Sequence, residues 1–204
     1  MKRGIDIVPR EYIEYNDSGK MYTTRWKDED GFHHREDGPA YILYYSNGNK
    51  KLESWYRHGI EYREDGPSVI RYYINGDVSE ESWIYDDYYI CQSEPSHIKY
   101  NKNGTLKQQV WFDDKNHQSR ENGPAVIGYD DKGIIQHEAW LRSGFYHRED
   151  GPAIITYDKL GSRWYINGKN ITDEVNEWIK KHNIIDWEKW SNKEKALFKL
   201  KFVK

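Results

Sequence analysis

The chain has 204 residues, a net charge of −3 and a polar composition with 18 tyrosines and nine tryptophans. This aromatic content excludes a disordered chain, which is typically poor in aromatic residues. The negative charge argues against general nucleic-acid binding, because such proteins are normally basic along one face. A single cysteine, Cys91, excludes an intrachain disulfide. With no N-terminal hydrophobic segment and no run of 18 apolar residues, we expect a soluble cytoplasmic protein without membrane insertion.

The prolines indicate an internal repeat. All six lie 28 to 30 residues apart, at Pro9, Pro39, Pro67, Pro95, Pro124 and Pro152. A glycine follows each proline by nine or ten residues, and a tryptophan follows five of these glycines by seven residues, at Trp26, Trp55, Trp83, Trp111 and Trp140. A fixed period of this kind is typical of repeat architectures. We therefore predict six copies of a unit of about 28 residues.

Each unit has the pattern of a β-hairpin. In the second unit, residues 39–45 form a predicted strand that opens at a proline, and residues 51–57 form the return strand. Asn47-Gly48 supplies the positive φ angles that tight hairpin turns require, and His58-Gly59 begins a second turn. The sequence predicts a mainly β fold, an elongated antiparallel sheet of six tandem hairpins over residues 1–169.

The tail departs from the repeat and predicts a helical cap over residues 170–204. Thr172 is the predicted N-cap of a first helix, with Val175, Trp178, Ile179 and His182 on one face. Ser191 begins a second helix, because Glu194 completes a capping box. We expect this cap to cover the end of the sheet, since repeat arrays need atypical terminal units and open strand edges favour aggregation.

Alternation along the first strand of each unit predicts one constant and one variable face. The constant positions carry a small residue, Ile and Tyr, and we expect them to be buried: Ala40/Ile42/Tyr44, Ser68/Ile70/Tyr72, Ser96/Ile98/Tyr100, Ala125/Ile127/Tyr129 and Ala153/Ile155/Tyr157. The positions between them differ from unit to unit, as Arg71, His97 and Lys99 illustrate. A variable face on a constant scaffold is where a repeat protein binds, although neutral drift gives the same pattern.

The motifs resemble a known family. Trp55-Tyr56-Arg57-His58-Gly59 and the segment His-Arg-Glu-Asp-Gly-Pro-Ala at 147–153 are similar to the divergent MORN-like repeats of uncharacterised phage and giant-virus proteins. The chain departs from the ordinary MORN unit in its longer period and in having Asp-Gly-Pro where that unit has a glycine pair. The resemblance implies an elongated sheet of hairpins that binds proteins or lipids, and it implies no enzyme activity.

The richest chemical cluster is the segment His-Arg-Glu-Asp at 34–37 and 147–150, with partial copies at 62–65 and 119–122. A histidine beside carboxylates could be a metal or acid–base site. Repetition favours a structural loop instead, in which Asp caps the turn and Arg pairs with Glu of a neighbouring unit. The pair His33-His34 is not expected to ligate a metal, because adjacent strand residues point to opposite faces. We predict no catalytic residue, metal or cofactor.

The third junction, residues 88–94, replaces the usual His-Arg-Glu-Asp segment. This change is either degeneration or a loop respecialised to contact a partner, in which case Tyr88 and Tyr89 are the candidate contacts.

Two functions remain open on the sequence. The first is a viral interaction protein that docks an exposed sheet face on a host or viral protein, for which inhibition of a host defence component is one role. The second is a sponge for a small nucleotide-type ligand, in which aromatic rings stack the base and cations hold the phosphate. The candidate binding residues are Arg57, Arg71, His97, Lys99, Tyr88, Tyr89 and Arg142. The sequence leaves homo-oligomerisation open.

Overall fold

The fold is described from a computed structural model that covers residues 9–89, 94–157, 161–183 and 187–203. It is mainly β, as predicted, with an antiparallel sheet of eleven strands and short C-terminal helices. The chain divides into two compact units, Met1–Leu106 and Lys107–Lys204, here called unit 1 and unit 2. Cys91 and residues 90–93 of the third junction lie outside the described residues.

The strands of the large sheet hydrogen-bond in the order in which they occur along the chain. In unit 1 they are β1 (Arg10–Tyr15), β2 (Met21–Lys27), β3 (Tyr41–Tyr44), β4 (Lys50–Ser54), β7 (Val69–Tyr72), β8 (Val78–Ser82) and β11 (His97–Tyr100). Strand β12 (Leu106–Val110) begins at the last residue of unit 1, and β13 (Val126–Tyr129), β14 (Ile135–Ala139) and β17 (Ile154–Thr156) follow in unit 2.

Within the described residues, four two-stranded hairpins lie outside the large sheet, and we call them the minor hairpins. Their strands are β5 (Tyr56–Arg57) with β6 (Ile60–Glu61), β9 (Ile84–Tyr85) with β10 (Tyr88–Tyr89), β15 (Leu141–Arg142) with β16 (Phe145–Tyr146), and β18 (Tyr165–Ile166) with β19 (Lys169–Asn170). The predicted turn at His58-Gly59 is present, with positive φ at both residues, as type I′ hairpin turns require.

The minor hairpins correct the predicted return strand. Residues 51–57 were expected to form one strand, but β4 ends at Ser54. The Trp55 N–H donates to the carbonyl of Ser68 at 2.9 Å, while the Trp55 carbonyl accepts from the N–H of Tyr62 at 3.0 Å. Trp55 therefore marks the point at which the chain leaves the ladder between β4 and β7 and begins the minor hairpin.

Burial changes along each strand more than between its two faces, which corrects the expectation of a buried constant face. The small residue that follows the proline is buried in five of the sequence repeats: Ala40, Ser68, Ser96, Ala125 and Ala153. The constant tyrosine is half-buried or exposed. In four repeats its hydroxyl donates to a side chain of the preceding strand: Tyr72 to Glu53, Tyr100 to Glu81, Tyr129 to Gln109 and Tyr157 to Glu138. The variable positions Val69 and Val126 are buried. The strand ends nearest the prolines therefore supply most of the sheet's core.

The Arg-Glu-Asp-Gly-Pro loops pack on the tryptophans. The guanidinium carbons of four loop arginines lie 3.8 to 4.3 Å from tryptophan ring centroids, pairing Arg35 with Trp26, Arg63 with Trp55, Arg120 with Trp111 and Arg148 with Trp140. The predicted pairing of these arginines with Glu of a neighbouring unit is wrong. Instead, each of three arginines contacts the aspartate two residues later, at 2.7 Å for Arg35, 3.4 Å for Arg63 and 2.8 Å for Arg148.

The C-terminal cap consists of α1 (Thr172–Lys181), a single 3₁₀ turn (Trp187–Lys189) and α2 (Asn192–Phe202). The predicted capping box at Ser191 and Glu194 is confirmed. The predicted N-cap Thr172 is wrong, because the cap residue is Ile171 and the Thr172 hydroxyl oxygen accepts from the Trp164 N–H. Within the described chain, neither helix has both the length and the apolar composition needed to cross a bilayer.

The cap is held by an aromatic core that includes part of the last minor hairpin. Its buried members are Trp164, Ile166, Ile171, Val175, Trp178, Trp190 and Phe198. Of the predicted α1 face, Val175 and Trp178 are buried, whereas Ile179 is half-buried and His182 is exposed. Burying several large aromatic side chains is strongly stabilising, so the cap is a substantial part of the core of unit 2.

Candidate binding surfaces

The minor hairpins place variable side chains beside their turns. Arg57 pairs with Ile60, Tyr85 with Tyr88, Arg142 with Phe145, and Ile166 with Lys169. All of these residues except Ile166 are exposed. Three of the predicted binding residues, Arg57, Tyr88 and Arg142, therefore occupy the same kind of position. Arginine and aromatic residues such as tyrosine are the residue types that dominate protein–protein contacts.

In unit 1 the first two minor hairpins lie side by side. The Asp86 N–H donates to the carbonyl of Glu61 at 3.2 Å, and the rings of Tyr62 and Tyr85 meet edge to face with centroids 5.7 Å apart. The Phe32 ring lies against Gly59, where a Cβ atom would be only 2.9 Å from Phe32 Cδ1.

These contacts bring together exposed residues of neighbouring loops, which we call the hairpin surface: Phe32, Arg57, Ile60, Tyr85 and Tyr88. Its aromatic members are more accessible than Ile60, which is 37% exposed, with Phe32 and Tyr88 each 55% exposed and Tyr85 51% exposed. The Arg57 guanidinium lies 5.4 Å from the ring centroid of Tyr62, and no described carboxylate forms an ion pair with it. Its charge is therefore available to a ligand.

The predicted sheet-face residues are brought together but are already engaged. Arg71 and Lys99 lie on either side of Glu80, whose carboxylate oxygens are 3.5 Å from Arg71 Nε and 3.7 Å from Lys99 Nζ. His97 Nδ1 is 2.7 Å from the hydroxyl oxygen of Ser82, and its ring meets Tyr89 edge to face at 5.8 Å. Burial lowers the pKa of His97 below its usual value of 6.5, so its ring is neutral at neutral pH.

Two grooves lie between successive Arg-Glu-Asp-Gly loops. In unit 1, loops 35–38 and 62–65 enclose a groove of about 500 Å³ that Trp55 and Arg57 help to line. In unit 2, loops 120–123 and 147–150 enclose an equivalent groove of about 310 Å³, lined by Trp140 and Arg142. A nucleotide-type ligand requires a concave site of a few hundred Å³, and both grooves reach that size.

The charges of these grooves fit a nucleotide poorly. The unit 1 groove is lined by three arginines and four carboxylates. Arg35 and Arg63 are already occupied by a tryptophan face and an aspartate, which leaves Arg57 as the cation open to a phosphate. A phosphate site normally gathers several donors with a net positive field. The balanced lining suits a protein surface of mixed charge better than a polyanion.

A second chemical cluster in unit 1 joins Asp28, His34 and His58. Asp28 and His34 are buried, and Asp28 Oδ2 lies 3.0 Å from His58 Nδ1. The rings of His34 and His58 stack with centroids 4.1 Å apart. Burial and the nearby charge of His58 lower the pKa of His34. One potential ligand atom from each residue lies within 4.8 Å of the other two, so a metal ion is the obvious candidate ligand.

The hydrogen bonds of this cluster do not fit a metal. His34 Nδ1 accepts from the backbone N–H of His58 at 3.2 Å, so a neutral His34 carries its proton on Nε2 and has no free lone pair. The two rings are inclined by only 28°, and nearly parallel rings cannot both hold one ion in their planes close to their nitrogens. His147 in unit 2 makes the same Nδ1 contact, with the N–H of Asn167. The contact is therefore structural, and we propose no metal.

Sequence reasoning missed Phe32, Ile60 and Tyr85 of the hairpin surface. For two of them the usable signal was a two-residue turn such as His58-Gly59, because the residues that flank such a turn face each other across the hairpin. Applying that rule to each 28-residue repeat would have identified Ile60 and Tyr85. Phe32 had no such signal, because its neighbour Gly59 lies in the next sequence repeat.

Comparison with known proteins does not assign this chain to a family. A scan against protein-family models gives no match, and a search of curated proteins gives no significant match.

Proposed function

We propose that this chain is a non-enzymatic interaction protein that binds another protein through the hairpin surface of unit 1. The observation that carries the proposal is the cross-strand pair Tyr85 and Tyr88, both more than half exposed. Two tyrosine rings side by side offer a large contact area at low entropic cost. Neither ring is needed to fill the core, so their exposure is best explained by a partner.

The partner that fits is a protein surface with apolar depressions for the two rings and a carboxylate for Arg57. The proposal includes a six-copy MORN-like hairpin array as the scaffold, because four of the predicted repeats carry a minor hairpin at the equivalent position and the other two carry a single β-bridge there. In this arrangement the frame is constant while the turn-flanking pair changes, from Arg57 and Ile60 to Tyr85 and Tyr88 to Arg142 and Phe145.

The resemblance to viral proteins extends the proposal to a cellular setting. We propose a viral, phage-type protein that acts in the host cytoplasm and binds a host or viral protein, with a host defence component as one target class. The support for this step is the motif similarity alone. A nucleotide sponge is the weaker alternative, because the lining charges of the unit 1 groove are balanced.

Affinity capture with matched variants tests the proposal. Wild-type protein and the double variant Tyr85→Ala, Tyr88→Ala are tagged and used to capture proteins from a lysate of the natural host. Tyr157→Ala is the control, because Tyr157 is an equally exposed tyrosine, 56% accessible, outside the hairpin surface. We expect a stoichiometric protein that wild type and control retain and that the double variant loses.

Two other outcomes would contradict this proposal. Retention of the same protein by the double variant at wild-type level would exclude Tyr85 and Tyr88 as anchors. A nucleotide released from the washed protein, with no protein partner retained, would favour the sponge. Circular dichroism of each variant verifies folding, and we expect no change, because exposed substitutions usually alter the free energy of unfolding by less than about 0.5 kcal/mol.

A further inference from the structure

Strand β1 is the first strand of the sheet, and all six of its residues are exposed. It pairs with β2 on one side, and within the described residues no strand lies on the other. A long, exposed edge strand presents unpaired N–H and C=O groups that can template pairing with another chain. Natural proteins usually cover or shorten such an edge, so its accessibility requires an explanation.

The ladder identifies which backbone groups of β1 face outward. The Trp26 N–H donates to the carbonyl of Ala40, which precedes β3. In an antiparallel pair the bonding direction alternates from residue to residue, so Thr24 also bonds toward β3, while Arg25 and Thr23 bond toward β1. Their register partners, Tyr12 and Glu14, therefore bond inward.

By the same alternation, the N–H and C=O groups of Glu11, Ile13 and Tyr15 point away from β2. A second strand can pair with this edge only where its own outward groups meet them. Two copies of β1 running antiparallel satisfy that condition when a two-fold axis passes beside a residue rather than between two residues.

We propose that two copies of this chain associate by antiparallel pairing of their β1 strands, with the two-fold axis at Tyr12. In this register Glu11 of one copy and Ile13 of the other form a hydrogen-bonded pair that exchanges both N–H···O=C bonds, and symmetry repeats it. Tyr12 meets Tyr12 of the second copy in the closer, non-hydrogen-bonded pair, where cross-strand side chains interact most strongly.

Charge complementarity selects this register. With the axis at Tyr12, Arg10 of each copy faces Glu14 of the other, on the same face as the two Tyr12 rings. An axis at Glu11 would place two Glu11 side chains opposite each other, and an axis at Ile13 would place Asn16 opposite Arg10. Glu14 already contacts Arg25 at 3.0 Å within its own chain, so each Glu14 lies in a row of three charges in the dimer, between its own Arg25 and Arg10 of the second copy.

The pairing is limited at both ends by Pro9, because Pro9 of each copy has no N–H to donate to Tyr15 of the other. This limit and the modest area of one strand pair predict a weak, reversible dimer. The association is independent of the hairpin surface, because it involves a different part of unit 1.

Charge-reversal variants test the dimer by sedimentation velocity at rising protein concentration in low salt. Arg10→Glu places Glu opposite Glu14, and Glu14→Arg places Arg10 opposite Arg, so each variant alone should weaken the dimer by about tenfold or more. An equal mixture of the two restores both opposite-charge pairs in the heterodimer. We expect wild type and the mixture to dimerise at concentrations at which each variant alone is a monomer.

A backbone variant gives an independent readout. Ile13→Pro removes an outward N–H that β2 does not use, so the variant should fold and remain a monomer. Circular dichroism establishes folding for every variant. The proposal is overturned if wild type is monomeric at its highest soluble concentration, if Arg10→Glu dimerises like wild type, or if the mixture associates no better than its components.

Discussion

The outward backbone groups of β1 and of β17 differ in their hydrogen bonding. In β1 the groups of Glu11, Ile13 and Tyr15 face away from β2, with no described strand beyond them. In β17 the outward N–H and C=O of Ile154 both bond to Arg163, at 3.1 and 2.8 Å. Among the described residues, unit 1 therefore has an open strand edge at β1, and unit 2 has a paired edge at β17.

The covered edge requires more than one backbone bridge. Arg163 immediately precedes Trp164, which is buried in the aromatic core of the cap together with Phe198. The Trp187 ring also lies against Gly151, in the loop that leads into β17. Covering a strand edge thus takes a bridging segment and a hydrophobic cluster to hold it. β1 has charged side chains and a flanking proline, which limit uncontrolled aggregation and still permit one complementary partner.

Loss of the cap core is expected to have the largest effect. Phe198 is fully buried, so Phe198→Ala should lower the free energy of unfolding by about 3–5 kcal/mol. Leu200 is on the same helix and 75% exposed, so Leu200→Ala is the matched control, with an expected change below about 0.5 kcal/mol. Urea unfolding followed by tryptophan fluorescence measures both. If Phe198→Ala lowered the free energy of unfolding as little as Leu200→Ala, the aromatic core of the cap would not be stabilising unit 2.

Proline substitution compares the two edges directly. Arg163→Pro removes the N–H that bonds to the Ile154 carbonyl and should cost about 1–3 kcal/mol of unfolding free energy. Ile13→Pro removes an N–H that is not used within the chain, so its cost should be smaller. Arg163→Ala keeps the backbone bond and serves as the control for loss of the side chain. A larger cost at Ile13 than at Arg163 would reverse the assignment of open and covered edges.

The smallest expected effect is on the pH dependence of stability. Burial is the largest cause of the lowered pKa values of His33 and His34, whose usual value is 6.5. A histidine with a depressed pKa binds fewer protons when folded than when unfolded, so its contribution to stability is present above pH 6.5 and is lost as the pH falls toward the folded value. The free energy of unfolding should therefore decrease below pH 6.5.

Replacement of the buried ring isolates one contribution. His34→Gln should reduce the dependence of the unfolding free energy on pH below 6.5, measured by urea titrations at successive pH values. His117→Gln is the control, because His117 lies in an exposed loop of unit 2. An unchanged pH dependence in His34→Gln would mean that His34 is not held neutral by the fold.

Local sequence signals predicted local structure well. The positive φ at Gly48, the turn at His58-Gly59 and the capping box at Ser191 were predictable, because each depends on residues within a few positions of one another. Asn47, which was also expected to supply a positive φ, does not have one. The end of β4 at Ser54 was not predictable, since it depends on the hydrogen bonds of Trp55 to residues 62 and 68. The partner of Arg35, by contrast, is only two residues away, at Asp37, and the prediction of a glutamate from a neighbouring repeat missed this local contact.

The candidate surfaces were predicted only in part. Arg57, Tyr88 and Arg142 were chosen by residue type, and the structure places them beside equivalent turns. The contact of Phe32 with Gly59 and the contact of Asp28 with His58 were missed because the contacting residues are about one sequence repeat apart. Burial along a strand also depends on neighbouring loops, which period-two alternation does not describe.

Residue-resolved amide hydrogen exchange tests the difference between the two edges most directly. At low protein concentration the amides of Glu11, Ile13 and Tyr15 should exchange rapidly, while those of Tyr12 and Ile154 should be protected. At high concentration the three outward amides should become slower, and the Tyr12 and Ile154 amides should not change. Strong protection of Ile13 at low concentration would contradict the account, because it would show that the edge of β1 is already covered in the monomer.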